Sequence, residues 1–139
     1  MSPPHGPPDA LILLAHGSPD ERWLAPIEAT AARIRRAVPA DCPVVVALLE
    51  HGKTLAEAVR ELCDAHHRVL AIVPLFLSDG GRHLRRDIPD MVTALRQTFT
   101  SVALLLAPAL GTDAAVQDAL AEAAVRHAGL GTSTLITSD

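Results

Sequence analysis

Aromatic side chains are scarce in this chain: Trp23, Phe76 and Phe99 make up 2% of its 139 residues, and tyrosine is absent. The core must therefore be built from Ala, Val, Leu and Ile, and a platform for stacking bases is nearly missing. Basic charge is short as well. Twelve Lys and Arg stand against sixteen Asp and Glu, for a net charge of −4, which argues against a nucleic-acid partner. Two cysteines, Cys42 and Cys63, are too few and too far apart for a disulfide framework or a zinc site. No apolar run approaches the ~18 residues of a membrane span. The start, MSPPHGPPDA, has neither the basic region nor the apolar stretch of a signal peptide. These absences lead to the expectation of a cytoplasmic protein that engages neither membrane nor nucleic acid.

What is present is globular. Hydrophobic residues reach 49% and charged ones 20%, enough to bury a core. Four apolar runs, 10–15, 43–49, 68–77 and 101–107, are continuous rather than alternating, as in parallel strands covered on both faces. Helical stripes separate them: Trp23, Ile27, Ile34 and Val38; Leu55, Val59, Leu62 and Cys63; Ile88, Val92, Leu95 and Phe99; then the Ala-rich stretch 114–127. Capping boxes are read at Ser18-Pro-Asp-Glu21 and Thr54-Leu-Ala-Glu57. The alternation predicts a three-layer α/β/α domain of the flavodoxin-like kind, with a four-stranded parallel sheet in the order 2-1-3-4. Its boundaries are set at 10–128, between a flexible Pro-rich tail, 1–9, and a loose tail, 129–139, in which STLITS is a possible short strand.

In such sheets ligands bind beyond the carboxyl ends of the strands, where the strand order reverses. His16 ends the first strand in LILLAHGSPDE, and His83 follows the third in VLAIVPLFLSDGGRH. Glu50 ends the second strand in ALLEHG. Three possible metal or proton ligands thus converge on one edge. Neutral imidazoles and a carboxylate suit divalent first-row metals and proton abstraction near neutral pH. Gly17, Gly80 and Gly81 allow tight turns and close approach of a large flat ligand. Arg82, Arg85, Arg86, Arg22 and Lys53 fall on the same rim and suit carboxylates held by arginine forks. The plainer readings are a hydrogen-bonded histidine at a strand end and a solvated helix start. His51 is a solvated loop residue or an assistant to Glu50. His66 and His67 are expected to face the terminal carbonyls of the second helix.

Taken together, LLAHGSPDERW, ALLEHGKTLAEAV and IVPLFLSDGGRHLRRDIPDM resemble the small sirohydrochlorin chelatases of the CbiX/SirB type, over about Leu11 to Leu110. The resemblance implies insertion of a divalent metal, Co2+, Fe2+ or Ni2+, into sirohydrochlorin or a related tetrapyrrole by a homodimer. It implies His16 and His83 as metal-binding and catalytic histidines, and Glu50 as the acidic position beside them. Arg82, Arg85 and Lys53, with Gly17, Ser18, Gly80 and Gly81, would face the substrate and its peripheral carboxylates. The chain departs from the pattern in HGKTL after Glu50 and in Arg82 between the glycine pair and His83. No G-x-x-x-x-G-K-[ST] stretch is present, so no nucleotide is expected. The alternative is a non-enzymatic carrier of metal or tetrapyrrole on the same fold. A regulatory relative and a phosphoryl-transfer enzyme are further competitors; the latter lacks a phosphate-cradling loop.

Overall fold

The computed structural model describes residues 5–81 and 83–131, with His83 and Leu84 described by backbone alone. The four apolar runs form parallel strands β1 (Ala10–Ala15), β2 (Val44–Leu48), β3 (Val69–Pro74) and β4 (Ala103–Leu106). They lie in the order β2-β1-β3-β4, so the expected sheet topology is found. Register is simple: Leu13 stands between Val46 of β2 and Val73 of β3. Helices α1 (Glu21–Ala37), α2 (Leu55–Asp64), α3 (Ile88–Thr98) and α4 (Ala114–His127) follow the strands in turn. The STLITS segment lies outside the described residues.

The strands alternate their side chains between two faces. One face carries Ile12, Leu14, Ala47, Leu70, Ile72 and Leu104, all buried under α2 and α3. The other carries Leu13 and Val44 under Ala31 of α1, with Leu11, Val46 and Val73 only partly covered. Both sheet edges are blunted by arginines from flanking helices. Arg35 of α1 donates to Val44 O (2.9 Å), and Arg96 of α3 donates twice to Leu104 O (3.2 and 2.7 Å). Occupied outward carbonyls do not recruit another strand.

Helix ends follow local chemistry, with two corrections to the sequence reading. Thr54 caps α2 as expected, its Oγ1 accepting from Glu57 N (3.1 Å). The box at Ser18 does not form. Asp20 is the N-cap, its carboxylate accepting from Arg22 N (3.0 Å), while Ser18 Oγ accepts from Asp20 N (3.1 Å). The carboxylate suits a helix start better than a hydroxyl, so Pro19 stays outside α1. At the end of α2, backbone groups close the helix instead of histidine rings. His67 N donates to Leu62 O and His66 N to Cys63 O (both 3.0 Å), with His66 left-handed at φ +68°, a Schellman motif. The His67 ring lies beside Asp9 instead, 3.7 Å from its carboxylate.

A π-helical turn, His83–Asp87, leads into α3. Its cause is Pro89 in the first turn of α3. Proline has no N–H to give the carbonyl four residues back, and its ring crowds that carbonyl, so the α-helical ladder cannot run back through Arg85.

Candidate active site

The carboxyl ends of β1, β2 and β3 are joined by backbone hydrogen bonds that continue the sheet past its last paired residues. Leu49 N donates to Ala15 O (2.9 Å), Glu50 N to His16 O (2.9 Å) and Leu75 N to Leu14 O (2.7 Å). Gly17 makes this closure possible. Its φ is +100°, and a Cβ there would stand 1.9 Å from Glu50 O. Only glycine tolerates both conditions. His16, Gly17 and Glu50 are therefore one backbone unit at the rim.

His16 is exposed beyond the end of β1. Its Nδ1 lies 3.2 Å from Gly17 O. A carbonyl only accepts, so in this bond Nδ1 carries the proton. In the neutral ring this tautomer has its lone pair on Nε2, the form in which an imidazole binds a metal or takes a proton. Glu50 is also exposed, and its Oε2 lies 3.8 Å from His51 Nε2. His51 has φ +61°, which turns the chain sharply after Glu50 and keeps its ring on the same rim.

The loop after β3 supplies the third side. Gly80 N donates to Ser78 Oγ (2.9 Å), and Gly81, at φ +90°, would have open space around a Cβ. Arg85 N donates to Gly81 O (3.1 Å), so Arg85 lies one turn along from the glycine pair, and its side chain is exposed. His83 starts the π-helical turn; its side chain and the whole of Arg82 lie outside the described residues. Among the described residues, no three His, Cys, Asp or Glu side chains gather to hold a metal.

Two other predicted cations, Lys53 and Arg22, are engaged elsewhere, and Arg86 is exposed beside Arg85. Lys53 Nζ is bound to Glu61 Oε2 of α2, so it faces the flank of β2 and not the space between His16 and the β3 loop. Arg22 makes a fork with Asp20, Nε and Nη2 at 3.1 and 2.9 Å, which holds the Asp20 carboxyl below its usual range and raises the Arg22 guanidinium. Both cysteines are free thiols, and burial, then Asp41 and Asp9, push the Cys42 thiol up, away from the thiolate a metal would need.

A concavity of about 290 Å3 opens on this edge, lined by Pro74, Asp79, Ile88, Leu106 and Ala109. Two larger ones open elsewhere. One of about 450 Å3 flanks β2 and reaches the rim only at His51 and Lys53; one of about 660 Å3 lies along β4. The position of the histidines, not cavity size, marks the site. Sequence reading missed Gly111, in the short 3-10 turn Leu110–Thr112. Its N donates to Phe76 O (2.8 Å), and a Cβ on it would stand 1.9 Å from Leu77 O. It braces the base of the β3 loop, yet a single glycine three residues beyond Pro108 carries no periodic signal.

Fold and site together define a single-domain parallel α/β protein with a histidine-bearing rim at its strand-reversal point. A family model, CbiX, matches residues 10–127, and the chain belongs to that family. It is 28% identical over 120 residues to the sirohydrochlorin cobaltochelatase of Sulfolobus acidocaldarius, covering 82% of this chain and 88% of that one. A solved CbiX protein of cobalamin (vitamin B12) biosynthesis from Marinobacter aquaeolei VT8 superposes with a TM-score of 0.75 at 28% identity, over 88% of this chain and 97% of that one. The sirohydrochlorin chelatase SirB of Bacillus subtilis subspecies spizizenii, solved with cobalt, shares the fold at 21% identity and a TM-score of 0.66, over 75% of this chain and 44% of that one. No helix among the described residues is long and apolar enough to cross a membrane.

Proposed function

We propose that this protein is a chelatase that inserts a divalent metal ion, Co2+, Fe2+ or Ni2+, into sirohydrochlorin or a closely related tetrapyrrole, without a nucleotide. The observation that carries the reading is the rim unit: His16 with Nε2 left as acceptor, locked by Gly17 to Glu50, in a chain of the CbiX family. The reaction exchanges one M2+ for two pyrrole protons, so the site must hold the metal and then take up protons. One imidazole nitrogen serves both ends of that exchange. While the metal is bound its lone pair is occupied; once the ring nitrogens take the metal, the freed lone pair accepts a proton. In this proposal His16 and His83 hold the metal and receive the protons, and Glu50 relays them to solvent.

Arg85, with Arg82, anchors the peripheral carboxylates of the substrate. Gly17, Ser18, Gly80 and Gly81 form the thin wall against which a flat macrocycle lies. Lys53, already paired with Glu61, contributes only if the substrate draws it from that partner. The functional unit is the domain 10–128, working in the cytoplasm as a pair of identical chains.

The test is metal insertion into anaerobic sirohydrochlorin, followed by its visible absorption, with Co2+, Ni2+ and Fe2+ in parallel. Multiple turnovers above the uncatalysed rate are expected, with loss of at least about 100-fold in His16→Ala and His83→Ala. A change that saturates at one equivalent would reassign the protein as a carrier. Full turnover in either histidine variant would remove that residue from the site.

A further inference from the structure

Glu50 and His51 are neighbours in sequence, and neighbouring side chains of an extended chain point to opposite sides. Here they do not. The left-handed backbone of His51, φ +61°, turns its ring to the side of the Glu50 carboxylate, and Nε2 stands 3.8 Å from Oε2. A glycine follows at once, but Gly52 is fixed where a Cβ would meet Leu48 Cδ1 at 2.6 Å, and Leu48 N donates to Lys53 O (2.7 Å) across the turn. A residue with a side chain therefore occupies the left-handed position, which disfavours one. An ion pair is a weak reason for that. The His51 and Glu50 side chains are 48% and 60% exposed, exposed pairs stabilise little, and 3.8 Å is too long for a hydrogen bond.

The spacing suits a shared cation. Two ligands about 2.1 Å from one first-row ion, at a tetrahedral angle, stand about 3.4 Å apart. Closing to that from 3.8 Å takes a small rotation of two exposed side chains. An imidazole nitrogen and a carboxylate oxygen are ligand types that Co2+, Ni2+ and Fe2+ accept. Approach is open: the concavity of about 450 Å3 beside β2 reaches the rim at His51 and holds the carboxylates of Glu28 and Glu61. Its two cations match those two acids, Lys53 paired with Glu61 and Arg35 fixed at Val44 O. The hollow thus carries no net positive charge that would turn an incoming ion away. Onward passage is also built in. Glu50 N donates to His16 O (2.9 Å), so the carboxylate beside His51 belongs to the residue whose backbone is fixed to His16.

We propose that Glu50 and His51 form an outer cation site, which captures the divalent metal from solvent and passes it, through the Glu50 carboxylate, to His16. This rests on the chelatase reading above and adds the route by which the metal substrate arrives. His51 supplies the nitrogen ligand, Glu50 the oxygen ligand, and water the remaining positions. Two protein ligands hold an ion loosely, and an ion in transit must be bound weakly enough to leave again. The absence of a third His, Cys, Asp or Glu ligand among the described residues matches a site of passage. Glu50 is the ligand that can serve both ends: its backbone is pinned beside His16, while its side chain is exposed and free to turn from one imidazole toward the other.

Anaerobic titration of the full chain with Co2+ alone tests this, with calorimetry to count the ions and circular dichroism to check the fold. The wild type is expected to bind two Co2+ per chain, one more weakly than the other, and His16→Ala to keep one. His51→Gly relaxes the left-handed turn and His51→Asn tolerates it. Both are expected to weaken the outer ion about 10-fold or more at unchanged helix content. In turnover with sirohydrochlorin, both are expected to raise the KM for Co2+ without a matching rise in the KM for sirohydrochlorin. A wild type that binds a single Co2+, or two ions that both survive His51→Gly and His51→Asn, overturns the outer site and leaves the chelatase reading standing. Loss of the ion in His51→Gly but not in His51→Asn overturns imidazole as its ligand. Two bound Co2+ with no turnover overturns the chelatase reading instead, because binding is read without the tetrapyrrole.

Discussion

The two faces of the sheet are built from similar residues and finished to different degrees. Under α2 and α3, Ile12, Leu14, Leu70 and Ile72 are fully covered, together with Leu55, Val59, Ile88 and Val92 from the helices. On the α1 face, Leu13, Ala31 and Val44 are the buried members of the cluster. The strands do not differ in composition between faces; the cover does. A face is closed by what packs on it, so one chain can hold a finished core and an unfinished one on the same four strands.

The sharpest way to break this comparison is to remove equal volume from each face. On the closed face, Ile72→Ala is expected to cost about 2–5 kcal/mol in chemical denaturation, because the lost atoms leave a cavity that the surrounding helices cannot fill. At the rim where the faces meet, Gly17→Ala is expected to cost about 2 kcal/mol, since φ +100° and the Glu50 carbonyl both oppose a Cβ. On the open face, Leu105→Ala is expected to cost about 1 kcal/mol in dilute protein, because partly exposed Leu105 has less to lose. Equal costs for Ile72 and Leu105 at high dilution would erase the distinction between the faces.

The smallest effect concerns the ends of α2 and α4. Both close with a Schellman motif, one through His66 and the other through Gly129. Only the first forces a side chain into the left-handed region. His66→Gly is expected to stabilise by about 0.5–1 kcal/mol, read as a higher denaturation midpoint with unchanged slope. No gain would mean that the His66 side chain offsets its own strain.

Much of this was legible beforehand. Continuous apolar runs with no polar alternation announce strands covered on both faces, and helical stripes between them point to a parallel sheet, whose order 2-1-3-4 follows once the sheet is taken as flavodoxin-like. The positions of His16 and Glu50 at strand ends follow from the same pattern, because a strand's carboxyl end is where its apolar run stops. Less was legible where short-range alternatives are close in energy. Ser18 and Asp20 both accept backbone hydrogen bonds, and the Asp20 carboxylate, better suited than a hydroxyl to the positive end of a helix, took the cap of α1. Lys53 was placed by sequence on the rim; Glu61 lies eight residues further on, and the turn after β2 brought the two together.

The sequence by itself determined the strands, the helices, their order and the residues presented at the carboxyl edge, because these depend on periodicity and local caps. Tertiary structure alone decided that Gly17 and Gly111 are pressed against carbonyls of neighbouring loops, that Arg35 and Arg96 seal the sheet edges, and that α4 buries none of its residues. Each of those depends on which distant backbones come within a few ångströms of one another, and no local pattern encodes that distance.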